Sequence, residues 1–128
     1  MSPRRRIVTT LLTLGLTVLG MSPATAAGTN LASNKPVTTS GSLGGYPASN
    51  TTDGNQQTYW ESPNNAFPQS LQVDLGGSST VDQVALKLPT SWGARTQTLT
   101  VQASTDGTNF TTLSPSAGRV FDPASGNT

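Results

Sequence analysis

The sequence predicts an all-β fold of short antiparallel strands joined by turn-rich loops. Apolar and polar residues alternate strictly over residues 70–75 and 96–103, and this period of two is typical of strands that bury one face. The chain is rich in Ser, Thr, Gly, Asn and Pro and poor in the helix formers Lys and Glu. No amphipathic helical stripe separates the strand segments, so an antiparallel sandwich or barrel is favoured over a doubly wound sheet.

The first 26 residues have the three-part layout of a secretory signal peptide. Three arginines at positions 4–6 precede an uncharged apolar run over residues 7–21, and small residues close the segment at Ala26. The run is shorter than the roughly 20 residues that a helix needs to cross a bilayer, so a permanent membrane anchor is the weaker alternative. We expect a secreted, extracellular protein in which residues 27–128 form one domain. The basic segment fits either general secretory or twin-arginine export.

Removal of this segment would leave a faintly acidic domain. Three of the seven basic residues lie at positions 4–6, so four basic residues remain against six acidic ones, a net charge of −2. Nucleic acids and anionic membranes select basic surfaces, so neither is an expected partner. The sequence contains no cysteine, so disulfides do not stabilise the exported domain.

Four strands are predicted in the second half of the chain, and the last two form a hairpin. Pro89 ends the second strand because proline has no N–H to donate to a neighbouring strand. Asp106 and Gly107 supply the turn chemistry of the hairpin. The predicted strands cover residues 70–75, 81–88, 96–103 and 110–113.

Catalytic chemistry is not expected. The sequence has no histidine and no cysteine, which removes the usual base for a serine nucleophile, thiol catalysis and the common zinc ligands. A glycosidase-like pair of carboxylates is the remaining alternative. Asp74 and Asp82 lie on the solvent faces of predicted strands, however, and Asp106 and Asp122 lie in predicted turns. We therefore expect no enzyme activity in this domain.

Residues 50–60 are the most informative polar segment. They combine the Asp53 carboxylate with several amide and hydroxyl oxygens, and Gly54 allows the backbone to curl inward. Such a segment suits Ca²⁺, which takes six to eight oxygen ligands at flexible geometry. The alternative is an Asx-type turn that only connects two strands, and from these residues alone the turn is favoured.

Four sequence motifs follow one another at residues 30–37, 53–62, 71–76 and 101–107. In this order they resemble the motifs of a coagulation factor five/eight type C (discoidin) domain. Among such domains the chain is similar in style to the family 32 carbohydrate-binding modules of secreted bacterial glycoside hydrolases. The resemblance covers nearly all of residues 27–128 and implies a galactose-binding-domain-like jelly-roll β-sandwich.

The resemblance also implies a structural calcium ion. Its ligands, carried over by position, are the Asn50 carbonyl, the Asp53 carboxylate, the Asn55 carbonyl, and Thr58 through its carbonyl and hydroxyl. The family usually completes this cage with an acidic residue in a last strand, and no strand is predicted here after residue 121. We therefore expect a domain that lacks its last strand, with an incomplete cage and an open sheet edge.

For the sugar site, the resemblance implies loop side chains at one end of the sandwich. An aromatic ring covers the apolar face of a sugar, while charged and amide groups bond its hydroxyls. The residues carried over to this role are Tyr46, Glu61, Asn64, Trp92 and Arg95.

Several of these assignments have an alternative. Trp92 lies in a Gly- and Pro-flanked loop, which favours exposure, although a core role is the other interpretation. Trp60 is expected in the core. Arg95 either contacts ligand or supports the strand that follows it. Glu61 stands where some relatives have a sugar-binding histidine, and Ser70 stands where many have a tryptophan.

The expected function is that of a monomeric, secreted, non-catalytic module that binds glycan or polysaccharide. Two alternatives remain. The chain is an N-terminal fragment of a secreted glycoside hydrolase, or it is a protein- or phospholipid-binding adhesion domain of the discoidin type. The last alternative usually involves disulfides and apolar residues beside basic ones, and the sequence shows neither.

Overall fold

A computed structural model describes residues 6–9, as backbone, and residues 28–128. The predicted signal peptide at residues 1–26 therefore lies outside the described residues, apart from the strand at residues 6–9. The all-β class is confirmed, since the only helices in the described part are two short 3-10 turns, Ala48–Thr51 and Pro123–Ser125. The strands are β1 (Arg6–Thr9), β2 (Val37–Thr39), β3 (Leu71–Asp74), β4 (Arg95–Ser104) and β5 (Thr111–Phe121). None of the described helices is long and apolar enough to cross a membrane.

The five strands form one sheet in the order β2-β3-β1-β4-β5, and every neighbouring pair is antiparallel. The first strand along the chain is thus the central strand of the sheet. Its Ile7 lies opposite Val73 of β3 on one side and opposite Ala103 of β4 on the other. Backbone hydrogen bonds from β3 to β4 therefore run only through β1.

The core lies on one face of this sheet, as the alternation predicts. Leu71, Val73 and Leu75 are buried at 6%, 5% and 8% exposure, and they form one cluster. On β4, Leu99 and Val101 are buried in the same alternating manner. Three loop residues, Ala32, Trp60 and Val81, pack against this cluster together with Val37 of β2.

The predicted strand at residues 81–88 is wrong, because within the described residues this segment pairs with no strand. Burial alternates along the segment, since Val84, Leu86 and Leu88 are half-buried while Ala85 and Lys87 are exposed. No strand of the described residues forms backbone ladder hydrogen bonds with it. Alternation reports which side of an extended segment meets the core, and it carries no information about a backbone partner. The Leu88 N–H instead donates to the carbonyl of Asn127 at 2.9 Å.

The hairpin of β4 and β5 is confirmed, but β5 is much longer than predicted and runs to Phe121. The register shifts between Leu99 and Val101 and again between Val101 and Gln102. Pro115 lies within the first of these irregular stretches, on a strand at the edge of the sheet, which is where a residue without an N–H is tolerated. Pro115 and the polar residues of β5 interrupt the alternation of apolar and polar residues, so the sequence pattern did not predict the full strand.

The hairpin turn is organised by the carboxylate of Asp106. It accepts hydrogen bonds from the backbone N–H groups of Thr108 and Asn109, both at 2.8 Å, and from the Ser104 hydroxyl at 2.8 Å. Gly107 has a φ of 75°, a value that glycine adopts without strain. The bonds from Asn109, Thr108 and Ser104 hold the pKa of Asp106 well below its usual range.

Candidate functional site

Three aromatic side chains from three separate loops meet at one end of the structure. The rings of Tyr46 and Tyr59 stack with centroids 4.6 Å apart and planes inclined by 19°. Trp92 meets Tyr59 edge to face, with centroids 4.5 Å apart and planes at 68°. All three side chains are half-buried, so part of each ring remains accessible to solvent. We refer to Tyr46, Tyr59 and Trp92 as the aromatic cluster.

The loop that carries Tyr46 is fixed beside Tyr59 by backbone hydrogen bonds. The Leu43 N–H donates to the Glu61 carbonyl at 2.8 Å, and the Glu61 N–H donates to the Tyr46 carbonyl at 3.4 Å. The Tyr46 N–H donates back to the Leu43 carbonyl at 3.1 Å, which closes a turn through Gly45, whose φ is 88°. Glu61 lies close enough to Tyr59 for its negative charge to act on the Tyr59 phenol.

Trp92 lies in a tight turn that follows Pro89. Its N–H donates to the Pro89 carbonyl at 3.0 Å. The guanidinium carbon of Arg95 lies 4.4 Å from the centroid of the Trp92 ring, a cation–π contact, and the Arg95 Nε donates to the Gly93 carbonyl at 3.3 Å. Arg95 is exposed, so its side chain is accessible to solvent beside the cluster. The arrangement joins a flat apolar surface to a fixed positive charge.

Tyr59 stays protonated at neutral pH. A side-chain hydrogen bond with Tyr46, desolvation, and the negative charge of Glu61 raise the pKa of Tyr59 to about 12. A neutral phenol donates one hydrogen bond and accepts others, so the edge of the stacked pair is equipped for a hydroxyl-rich ligand. Glu61 adds a carboxylate, which accepts bidentate hydrogen bonds.

The structure brings together four of the five residues assigned to sugar binding from the sequence. Tyr46, Trp92 and Arg95 belong to one contact set, and Glu61 joins it through its backbone pairing and its charge. Asn64 is exposed in the next loop, and no contact within residues 28–128 links it to the cluster. The sequence reasoning left Trp92 between an exposed and a core position, and the structure places it between these extremes, half-buried at the surface.

Tyr59 is the member of the cluster that sequence reasoning missed. It precedes Trp60, which is half-buried, packs on the Leu71 cluster as expected, and donates its indole N–H to the Gly41 carbonyl at 3.0 Å. Neighbouring residues of an extended segment point to opposite sides, so a core tryptophan at position 60 turns Tyr59 outward. The expected core position of Trp60 therefore already indicated that Tyr59 points away from the core.

The segment around Asp53 folds into a loop in which oxygens converge. The Thr58 hydroxyl donates to Asp53 Oδ2 at 2.6 Å and contacts the Asn55 carbonyl at 2.8 Å. The Asn55 N–H donates to Asp53 Oδ1 at 2.8 Å, so the Asx turn considered as the alternative is present. The Asn50 side-chain amide donates to the Tyr59 carbonyl at 2.9 Å. The assignment of the Asn50 backbone carbonyl as a calcium ligand stays a prediction.

These oxygens fit the preference of a hard cation. Asp53, Asn55 and Thr58 offer a carboxylate, a carbonyl and a hydroxyl within hydrogen-bond distance of one another, and Ca²⁺ takes ligands of all three kinds. Gly54, with a φ of 78°, lets the backbone between Asp53 and Asn55 turn inward. No group of three or more acidic, His or Cys side chains occurs among the described residues, so Asp53 contributes the carboxylate of this loop alone.

A cleft of about 380 Å³ opens beside the Asp53 loop and contains none of the aromatic cluster. It is an open groove of amide, hydroxyl and apolar groups between the N-terminal turn and the first 3-10 helix. Its lining residues are Asn34, Lys35, Pro36, Val37, Ser49, Asn50, Thr52 and Asp53.

Comparison with known proteins identifies a family. The model of a NedA-like, galactose-binding domain of the F5/8 type C group matches residues 50–125, which is more than half of the chain. The matched range contains the Asp53 loop, Tyr59, Trp92 and Arg95, while Tyr46 precedes it. No curated protein and no solved structure matches the chain significantly.

Proposed function

Because the chain belongs to the F5/8 type C family, as a NedA-like, galactose-binding domain, we propose that it binds a galactose-containing glycan at the aromatic cluster. The observation that carries this proposal is the meeting of Tyr46, Tyr59 and Trp92 with the Arg95 guanidinium. A domain of this type is a non-catalytic binding module. Its role in the proposal is to hold a glycan rather than to transform it.

The chemistry of the cluster suits a pyranose ring. One face of galactose presents C–H groups, which pack on an aromatic ring, while the ring edge presents hydroxyls. The accessible surfaces of Tyr46 and Trp92 supply the apolar platform. Arg95 donates and Glu61 accepts paired hydrogen bonds with neighbouring hydroxyls, which selects among epimers.

We further propose that the protein is secreted and that the Asp53 loop holds a structural calcium ion. The loop supports the second proposal through its convergent oxygens on Asp53, Asn55 and Thr58. A bound cation would supply the cross-link that disulfides provide in many exported domains, since this chain has no cysteine. The N-terminal layout of residues 1–26 supports export.

The test is a glycan array on the full chain, followed by titration with the best galactoside. Trp92→Ala is expected to weaken binding by about tenfold to a hundredfold, the usual range for losing a stacked aromatic from a pocket. Phe67→Ala is the matched control, since Phe67 is also aromatic and is 83% exposed in the loop after Asn64. Circular dichroism verifies the fold of both variants.

The outcomes separate the alternatives. Loss of binding in Trp92→Ala with normal binding in Phe67→Ala supports the cluster as the site. Loss in Phe67→Ala alone would move the site to the 62–69 loop, and a folded wild-type chain that binds no glycan on the array would refute the proposal. Binding to phospholipid vesicles that depends on Phe67 would support the adhesion-type alternative instead.

A further inference from the structure

The turn that carries Trp92 is held from behind by a buried asparagine near the end of the described chain. Asn127 has 0% of its surface exposed. Its side-chain amide donates to the Pro89 carbonyl and to the Trp92 carbonyl, both at 2.9 Å. Its own carbonyl accepts the Leu88 N–H at 2.9 Å. One residue thus contacts both ends of the turn from Pro89 to Trp92.

Asn127 is itself fixed in place by its own segment. The 3-10 helix Pro123–Ser125 ends at Gly126, and the Asn127 N–H then donates to the Asp122 carbonyl at 2.9 Å. Asn127 adopts a φ of 54°, a conformation that asparagine tolerates better than most residues. The residue type therefore suits both the backbone position and the paired carbonyl acceptors.

The same buried region is tied to the Asp53 loop by two glutamines. Gln56 donates through its amide to the Leu88 carbonyl at 2.9 Å and to the Gly126 carbonyl at 2.7 Å. Gln57 donates to the Thr90 hydroxyl at 2.9 Å. The Asp53 loop, the Trp92 turn and the C-terminal segment are therefore connected through side-chain amides.

The orientation of the Asn127 amide follows from its partners. Both groups in front of it are carbonyl oxygens, which only accept, so the NH₂ group faces them. Asn127 Oδ1 is buried and has no hydrogen-bond partner within the described residues. Burying an oxygen without a hydrogen-bond partner lowers the stability of the folded chain, so stability alone does not account for an asparagine at this position. The two hydrogen bonds that its amide donates hold the turn from Pro89 to Trp92 in place.

We propose that Asn127, supported by Gln56, is a positioning residue of the glycan site. It sets the orientation of Trp92 against Tyr59 without contacting the ligand, and this role rests on the proposed function of the aromatic cluster. Asn127→Asp keeps the shape of the side chain but replaces the NH₂ group, which donates both hydrogen bonds, with an oxygen that repels the Pro89 and Trp92 carbonyls. The turn and its tryptophan are then released while the rest of the sheet is untouched.

The experiment compares Asn127→Asp in the full chain with Gln56→Met, which keeps Asn127 and removes the supporting amide. Ser104→Ala is the control, since Ser104 is buried in the distant hairpin turn and its loss lowers stability without reaching Trp92. Near-ultraviolet circular dichroism is a direct readout, because both tyrosines and one of the two tryptophans of the chain lie in the cluster. Iodide quenching of tryptophan fluorescence and galactose affinity are measured alongside it.

Asn127→Asp is expected to change the near-ultraviolet spectrum, increase quenching and weaken galactose binding by about tenfold, the equivalent of one or two net hydrogen bonds. Gln56→Met should show the same changes at smaller amplitude, and it decides the matter if Asn127→Asp does not fold. Ser104→Ala should lower the melting temperature only. Unchanged spectra and affinity in folded variants would overturn the proposal, as would equal changes in Ser104→Ala. If wild-type chain binds no galactose, the proposed function fails, and the spectrum and quenching alone decide the positioning role.

Discussion

At the scale of single residues, the chemistry of the site depends on a few side chains whose environments alter their properties. Tyr59 is the clearest example, because the neighbouring Tyr46 and Glu61 both disfavour its phenolate. Arg95 is a second, since its charge is fixed over Trp92 by the cation–π contact and by its bond to Gly93. The Tyr59 effect depends on a contact with Tyr46 in a separate loop, whereas the Arg95 effect arises within the segment that carries Trp92.

The titration of Tyr59 should reveal this environment. Its pKa of about 12 lies above the ordinary value of about 10, so the folded state favours the neutral phenol. The corresponding stability is complete below pH 10 and is lost as the pH rises toward 12. Ultraviolet absorbance should show one late-titrating tyrosine in the wild-type chain. In Tyr46→Phe the Tyr59 pKa should fall toward 10, and an unchanged value would contradict the assigned cause.

The charge on Arg95 should matter more than its length. Arg95→Lys keeps a positive charge but loses the planar group that stacks on Trp92, whereas Arg95→Met keeps only the apolar stem. We expect galactose affinity to fall by about threefold in the lysine variant and about tenfold in the methionine variant, measured by calorimetry. Arg119→Met is a suitable control because Arg119 bonds Ser114 on β5 instead. Equal affinity in all three variants would show that Arg95 only supports β4.

At the scale of elements, the loops are organised by short polar side chains that act on their own backbone. Asp106 shapes the hairpin turn, Asp53 shapes the candidate cation loop, and Asp122 begins the last 3-10 helix by accepting the Ala124 N–H at 2.8 Å. Such local bonds are encoded in the sequence near the residue itself. For this reason the hairpin turn and the Asx turn could both be predicted.

The Asp106 turn should make the stability of the hairpin depend on pH. Its folded pKa is depressed, so its contribution is present above the unfolded value of about 3.9 and is lost as the pH falls through the folded pKa. The wild-type melting temperature should exceed that of Asp106→Asn at pH 7, and the difference should shrink steadily as the pH falls below about 4. A difference as large at pH 2 as at pH 7 would exclude the charge of Asp106 as the cause.

Calcium should stabilise the chain through the Asp53 loop. A ligand that binds only the folded state raises its stability with concentration. We expect millimolar Ca²⁺ to raise the melting temperature by several degrees relative to EDTA, with Mg²⁺ much less effective because it prefers rigid octahedral sites. Asp53→Asn should abolish the shift, while Asp82→Asn, which removes an exposed carboxylate elsewhere, should retain it. A shift that survives in Asp53→Asn would place the ion at another site.

Sequence patterns predicted those elements whose signal is local and missed those that depend on a distant partner. Alternation was sufficient for β3 and β4, since burying one face requires it. It failed at residues 81–88, where burial alternates without a pairing strand, and it failed for β5, where Pro115 and the register shifts conceal the period. At the site, Trp92 and Arg95 were predicted together through the family resemblance. The Tyr59-Trp60 pair indicates only that Tyr59 points outward, and its stacking on Tyr46 depends on which loop faces it.

At the scale of the whole molecule, the sheet depends on a strand from the extreme N-terminus. Arg6–Thr9 lies between β3 and β4 and bonds both. The same residues fall inside the segment with the layout of a signal peptide. A chain that loses this segment therefore also loses β1, the central strand of the sheet.

A chain that starts at residue 27 should be less stable than the full chain and should associate with itself. Two inner strand edges would then present unpaired N–H and C=O groups, which favour pairing between chains. Thermal unfolding and sedimentation velocity should show a lower melting temperature and concentration-dependent oligomers. A peptide of residues 4–11 should reverse both effects, and a peptide with Ile7→Pro should not. Identical behaviour of the two chains would contradict the central role of β1.

The central strand has a further consequence for how the sheet opens in solution. Since β3 and β4 are joined only through β1, the sheet consists of two halves, β2 with β3 and β4 with β5, that share a seam. Loss of one four-residue strand separates the halves without breaking a bond inside either of them. Native-state hydrogen exchange should then resolve two independent cooperative units, with the amides of β4 and β5 protected longest because their pairing is the most extensive.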